Sequence, residues 1–134
     1  MRIISWNVNG IRAAIRKGID EFVEKLKPDV LMLQEIRCLE EQLPKDWNPP
    51  EGMVYAWHPA IRKGYSGVAT FSKMNFEIEG KGKGINDNDE EGRVLVTKHG
   101  DLTLINTYLP SGGSKIERQL YKERWMDDFL IWLN

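Results

Sequence analysis

The reading turns on the stretch Arg2-Ile3-Ile4-Ser5-Trp6-Asn7-Val8-Asn9-Gly10. It opens as an apolar strand and ends in two amides and a glycine. A second apolar run, Val30-Leu31-Met32-Leu33, ends in Gln34-Glu35. Between them Ile19, Phe22, Val23 and Leu26 recur at helical spacing, which predicts a helix with one face against a sheet. Lys27-Pro28 stops it, because the residue before a proline is pushed out of the helical region. A helix followed by a continuous apolar strand reads as a strand–helix–strand unit whose second strand is buried on both faces. Two such strands side by side place Asn7 and Glu35 at one sheet edge. An amide and a carboxylate are hard oxygen ligands, suited to Mg²⁺ or Mn²⁺ and poor for zinc. The residues alone allow a second reading, in which Asn7 caps the following helix and Glu35 is a solvated strand end.

The bulk properties fit one domain. The chain has 134 residues, of which 41% are hydrophobic and 29% charged, as in globular proteins rather than disordered ones. No apolar run reaches membrane-spanning length, so no membrane role is expected. Met1-Arg2 leads straight into a strand without a leader pattern, and one cysteine, Cys38, cannot form an internal disulfide. These point to a reducing, cytoplasmic setting. A net charge of −1 gives no global pull toward nucleic acid, so a nucleic-acid binder of this balance must gather its cations on one face.

Beyond Glu35 the prolines of 44–50 forbid long regular structure. Further strands are expected at 54–57, 67–72, 76–79, 93–98 and 102–108, the last two joined at His99-Gly100-Asp101 as a hairpin. A polar loop fills 80–92, of a length often functional in compact domains. A final helix is expected from Ser114, with Glu117 completing a capping box and Leu120, Tyr121, Trp125, Phe129 and Trp132 as its buried stripe. The strands carry apolar residues in both parities, so both sheet faces should be covered, and two helical segments cover only one.

Five pieces in order resemble one family. They are Ile4-Ser5-Trp6-Asn7-Val8-Asn9-Gly10-Ile11-Arg12-Ala13, Pro28 to Glu35, Arg62-Lys63-Gly64-Tyr65-Ser66-Gly67-Val68-Ala69, Glu91-Gly92-Arg93 and Asn106-Thr107-Tyr108-Leu109-Pro110. Together they are similar to the exonuclease III-like AP endonucleases of the exonuclease-endonuclease-phosphatase superfamily. The resemblance implies an α/β (α+β) fold, the first half of a four-layer αββα sandwich, with this chain supplying one mixed β-sheet and helices on its outer face. It implies a DNA repair hydrolase that cuts phosphodiester bonds 5′ to abasic sites in duplex DNA and can act as a 3′-to-5′ exonuclease. Asn7 and Glu35 match the family's metal-site residues, for Mg²⁺ or Mn²⁺. Tyr108 matches the catalytic tyrosine beside the scissile phosphate. Arg12, Ala13, Gly64 and Tyr65 match positions on the DNA backbone, and Arg37 stands where the family usually has a basic residue. Asn9, an aspartate in some members, helps hold the metal-site turn, and Arg93 matches an arginine of the active-site floor.

The family completes its site with a Gly-Asp-x-Asn strand end, a further aspartate and a late Ser-Asp-His, none of which is in these residues. Residues 1–134 are therefore expected to be the N-terminal half of the domain, inactive alone, with a bare inner sheet face that a missing C-terminal half or a completing chain covers. Two alternatives stand beside this reading: a superfamily phosphatase, and a non-catalytic half that binds DNA or a partner chain.

Overall fold

The computed structural model describes residues 1–134. Its strands are β1 (Ile3–Asn7), β2 (Val30–Gln34), β3 (Val54–His58), β4 (Val68–Ser72), β5 (Glu77–Lys81), β6 (Val94–His99) and β7 (Leu102–Thr107). The helices are α1 (Ile11–Arg16), α2 (Ile19–Leu26) and α3 (Ile116–Leu133), with a short 3₁₀ turn at Glu40–Gln42. The helix read after the first strand is broken at Lys17-Gly18, where Gly18 takes a φ of 95°.

The mixed α/β class agrees with expectation, but the single sheet does not. Seven strands form two sheets, ordered β1-β2-β4-β3 and β5-β6-β7. β1 runs parallel to β2, and the other pairs are antiparallel. β6 lies across β4, and β7 lies across β2 and β4, so the sheets stack face to face. The layers are therefore α1 and α2, then the four-stranded sheet, then the three-stranded sheet, then α3.

Side-chain alternation explains why. Successive residues of a strand point to opposite faces. Leu31, Leu33, Ala69, Phe71 and Trp57 pack with Ile11, Ala14, Ile19 and Val23 of α1 and α2. The opposite parity, Val68 and Ala56, meets Leu95 of β6 between the sheets. On the far side of β6, Val94 and Val96 pack against Trp125 of α3. The inner face expected to be bare is thus covered by the chain's own second sheet.

Two local expectations also change. α3 begins at Ile116 with Lys115 as its first flanking residue and no side-chain cap, so Ser114 forms no capping box. Its buried stripe is Trp125 with half-buried Tyr121, Phe129 and Trp132, whereas Leu120 is exposed. Residues 121, 125, 129 and 132 share one helical face, and position 120 is turned off it by one residue's rotation. The hairpin is as expected: His99 pairs with Leu102 across Gly100-Asp101.

β1 and β7 are edge strands, each with a hydrogen-bonded neighbour on one side. Because β7 crosses β2, and β1 lies next to β2, these open edges fall on the same side of the sandwich. Apolar residues there remain exposed, among them Ile3, Leu102 and Ile105. No helix is long and apolar enough to cross a membrane.

Candidate active site

Three segments run side by side at one end of the four-stranded sheet. Parallel pairing sets Asn7 opposite Gln34. The ladder then continues past the strand ends: Val8 N–H donates to the Gln34 carbonyl, Gly10 to Glu35 and Ile11 to Ile36. On the other side Ile36 N–H donates to Gly67 and Arg37 N–H to Ser66. The sequence's amide-ending and carboxylate-ending strands are therefore brought together as expected. Backbone strain concentrates here. Asn9, Glu35, Arg37 and Ser66 all take φ near 50°, a left-handed conformation uncommon for residues with a side chain. Such outliers survive where surrounding structure fixes them, often at functional sites. Gly67 has no such choice: a Cβ there would sit 2.7 Å from Cγ1 of Ile36.

Glu35 is the centre of the cluster. Its Oε1 accepts from Asn7 Nδ2 at 2.9 Å, and its Oε2 accepts from Arg37 Nε at 3.0 Å and NH2 at 2.7 Å. Asn7 Oδ1 in turn accepts the Asn9 N–H at 3.0 Å, which closes the turn. Burial alone would raise the Glu35 pKa. Hydrogen bonds from Asn7 and Arg37, the nearby Tyr108 phenol and the Arg37 charge outweigh it and keep the carboxyl below its ordinary range. Glu35 is thus an ionised acceptor at neutral pH. Tyr108, just beyond β7, shows the reverse. Burial and the neighbouring Glu35 carboxylate push its phenol up to about 12, so it stays protonated and able to donate.

Arg93 lies buried beside this cluster. It is 1% exposed, its Nε donates to Glu91 Oε2 at 2.7 Å, NH2 to the Tyr65 hydroxyl at 2.8 Å and NH1 to the Tyr108 carbonyl at 3.1 Å. Both a carboxylate and a tyrosine hold it. Arg118 of α3 reaches the same Tyr65 hydroxyl at 3.1 Å and lies 3.5 Å from Glu91. Arg37, Arg62, Tyr65, Arg93, Tyr108 and Arg118 line one open cleft of about 650 Å³. Four arginines share this face, and Glu90 and Glu91 line it with them.

Arg12, Ala13 and Gly64, the other expected contact residues, do not line it. Arg12 and Ala13 sit on α1, with Arg12 NH2 3.4 Å from the Arg37 carbonyl. Gly64 is exposed, with a φ of 71° and open space where a Cβ would stand. Arg37 is half-exposed and paired to Glu35 rather than free in a loop. Neither histidine joins the cluster. His58 is buried against Asp89 at 2.7 Å, and His99 lies at the opposite end of the sandwich. Cys38 is buried, with burial pushing its thiol up.

Sequence reasoning missed Gln34, Asn106, Glu91 and Arg118 as parts of this end of the molecule. The first two bond to each other across the sheets, at 2.8 Å. Each stood inside a quoted motif or a helix turn, and nothing local marks such long-range partners.

The donor set suits a hard divalent cation. Glu35 is the carboxylate beside Asn7, Glu91 is held by Arg93 and Arg118, and no three His, Cys, Asp or Glu side chains group as ligands. Mg²⁺ commonly binds through one or two carboxylates, with waters and phosphate oxygens completing its shell, whereas structural zinc needs four N or S ligands.

Comparison with known proteins agrees with this architecture. The chain is 37% identical over 135 residues to a DNA-(apurinic or apyrimidinic site) endonuclease of Dictyostelium discoideum, covering 99% of this chain and 37% of that protein. It is 36% identical over 136 residues to an exodeoxyribonuclease of Bacillus subtilis, covering 99% of this chain and 52% of the relative. Among solved structures, an AP endonuclease from Leishmania major superposes with a TM-score of 0.80 at 29% identity, over 96% of this chain and 46% of that one. The chain thus spans about half the length, or less, of the relatives it matches. The profile of the Endonuclease/Exonuclease/phosphatase family matches residues 4–133, and the chain belongs to that family.

Proposed function

We propose that this chain is the N-terminal part of a DNA repair nuclease that hydrolyses the phosphodiester on the 5′ side of an abasic site in duplex DNA, with 3′-to-5′ exonuclease activity on the same site. The observation that carries the reading is the cluster at the strand ends: an ionised Glu35, Asn7 against it, and a Tyr108 phenol held in its donor form. The names of the relatives supply the substrate class.

In this reading Glu35 and Asn7 hold Mg²⁺ (or Mn²⁺), which supplies Lewis-acid polarisation of a phosphate oxygen. Tyr108 donates to the oxyanion that develops as phosphorus is attacked. Arg12, Ala13, Arg37, Gly64 and Tyr65 contact the DNA backbone, which positions the duplex without reading its bases. Arg37 serves twice, since its guanidinium also orients Glu35.

The titratable groups around this cluster are already engaged: Asp89 holds His58, and Arg93 and Arg118 hold Glu91. The open edges of β1 and β7 are suited to receive further strands, and the half-length match to relatives supports a completing segment or chain. Residues 1–134 alone therefore bind the phosphate face but do not cut. An intracellular, reducing compartment such as the cytoplasm suits the unpaired Cys38.

The test is incision of a duplex carrying one abasic site, with Mg²⁺ or with EDTA. Joined to a completing C-terminal half, the chain is expected to cut only with the metal. Metal-independent cutting, or none by the joined protein, overturns the assignment. Cutting by the 134 residues alone overturns the need for completion.

A further inference from the structure

We infer that Gln34 and Asn106 form a positioning pair that fixes the three-stranded sheet against the four-stranded sheet and thereby places Tyr108 against Glu35. The inference rests on the proposed reading that these two residues act on one phosphate.

The geometry is specific. Gln34 is the last residue of β2, directly before Glu35, and Asn106 lies on β7 two residues before Tyr108. Asn106 is 1% exposed. Its Oδ1 accepts from Gln34 Nε2 at 2.8 Å. Its Nδ2 donates to the Ala69 carbonyl at 2.9 Å and also reaches the Leu33 carbonyl and Thr70 Oγ1, each at 3.2 Å. Gln34 Nε2 further meets Ser5 Oγ at 3.0 Å and the Met32 carbonyl at 3.2 Å. One pair of amides therefore ties β7 to β1, β2 and β4 just beneath the strand ends that carry Asn7, Glu35 and Tyr108.

Apolar contact between sheets is non-directional and tolerates sliding. Amides are not tolerant, because a shifted donor or acceptor is buried without a partner. A one-residue slip of β7 would move Tyr108 by about 3.4 Å, whereas productive site geometry tolerates roughly 0.5 Å. Gln34 and Asn106 carry no titratable group, so the registration they impose does not vary with pH.

A structural role alone would alter stability and leave the local environment of Tyr108 as it is in folded molecules. NMR separates the two. Gln34→Met and Asn106→Leu remove the amides at similar volume. In either variant the ring signals of Tyr108 and the carboxylate carbon of Glu35 are expected to move. Phe76 and His99, at the other end of the sandwich, are expected to keep their shifts. Folded variants in which Tyr108 and Glu35 do not move overturn the inference. If neither variant folds, the wild-type chain decides. Side-chain amide protons of Gln34 and Asn106 should exchange at least about tenfold more slowly than those of exposed Asn48 and Asn86. Equal exchange overturns the pair. None of these readouts uses DNA, so a chain inert on abasic DNA leaves the test intact.

Discussion

The two ends of the sandwich each tie one sheet to the other, with different chemistry. At the end carrying Glu35, the tie is a pair of amides, Gln34 and Asn106, set beside charged groups and left-handed backbone. At the opposite end His99 of β6 lies between Ser72 of β4 and Thr97 of its own strand, with Nδ1 3.3 Å from Ser72 Oγ and Nε2 3.0 Å from Thr97 Oγ1. The Phe76 ring packs tilted against the imidazole, with centroids 4.9 Å apart. No charged group is paired with His99, and no charge shifts its pKa. One end combines strain and charge with a tie that cannot titrate. The other has a tie that can titrate, on an imidazole that no charged group pairs. The difference teaches that the fold concentrates its conformational cost where the strand ends converge, and lets the distal end be ordinary packing. That contrast can be broken by mutation.

The largest expected effect is at Arg93. Arg93→Met strips donors from Glu91, the Tyr65 hydroxyl and the Tyr108 carbonyl at once. Removing one partner of a buried pair typically costs about 3–5 kcal/mol. Glu91 is 28% exposed and keeps Arg118, which favours the lower part of that range. Urea unfolding should show a lower midpoint at unchanged m-value. A loss under about 1 kcal/mol would mean that these groups are not held through Arg93.

Next come the two glycines that compare the ends directly. Gly67 has a φ of 85° and a Cβ there meets Ile36 at 2.7 Å and the Pro59 backbone at 3.2 Å. Gly100, in the distal hairpin, has a φ of 62° and nothing within 4 Å. Left-handed backbone costs a residue with a Cβ about 1–2 kcal/mol, and overpacking adds about 1–3. Gly67→Ala should therefore cost about 3 kcal/mol and Gly100→Ala about 1. Equal losses in thermal unfolding would erase the distinction between a crowded end and an open one.

Tyr108→Phe sharpens the comparison on activity instead. Losing one preorganised donor to a developing oxyanion typically costs about 10²-fold in kcat. In the completed protein, incision of abasic DNA should fall by about that factor with KM little changed. A KM effect at full kcat would assign Tyr108 to ground-state binding.

What the sequence disclosed divides along the same line. The placement of Asn7 and Glu35 at one sheet edge was legible because each closes a largely apolar strand, whereas Tyr108, which follows Asn106-Thr107, was singled out through family resemblance. The number of sheets was not legible. Apolar residues in both parities say that both faces are buried, and they are silent on what buries them; here the second sheet does. The Gln34–Asn106 bond spans 72 residues, and His58–Asp89 spans 31. No local period encodes such separations. Local rules also lost to context in α3, where Lys115 rather than Ser114 precedes the first turn. The roles of individual site residues were read through family resemblance, and the structure adds their partners: Arg37 belongs to Glu35, and Arg93 to Glu91 and Tyr65.

The smallest expected effect is at the distal tie, and it is a pH effect. Ser72 Oγ accepts the Met74 N–H at 3.0 Å, which leaves its hydroxyl proton free to donate to Nδ1 of His99. The ring then carries its proton on Nε2 and donates to Thr97. A second proton must go to Nδ1, where it replaces an acceptor by a donor inside the protein. Burial accordingly lowers the His99 pKa from its ordinary 6.5. The unfolded chain binds that proton at higher pH than the folded one does. The neutral ring's stabilisation is thus complete above about 6.5 and is lost as pH falls toward the lower folded value. Glu35 and Glu91 act in a separate window: their folded pKa values lie below the ordinary 4.5, so their contribution is lost only at more acid pH. In denaturant titrations the wild type should lose stability in two steps as pH is lowered from 7. His99→Gln should start less stable at pH 7 and lack the first step, keeping the second. A first step that persists in His99→Gln would locate the near-neutral titration elsewhere, and the two ends would then not differ in the way their side chains indicate.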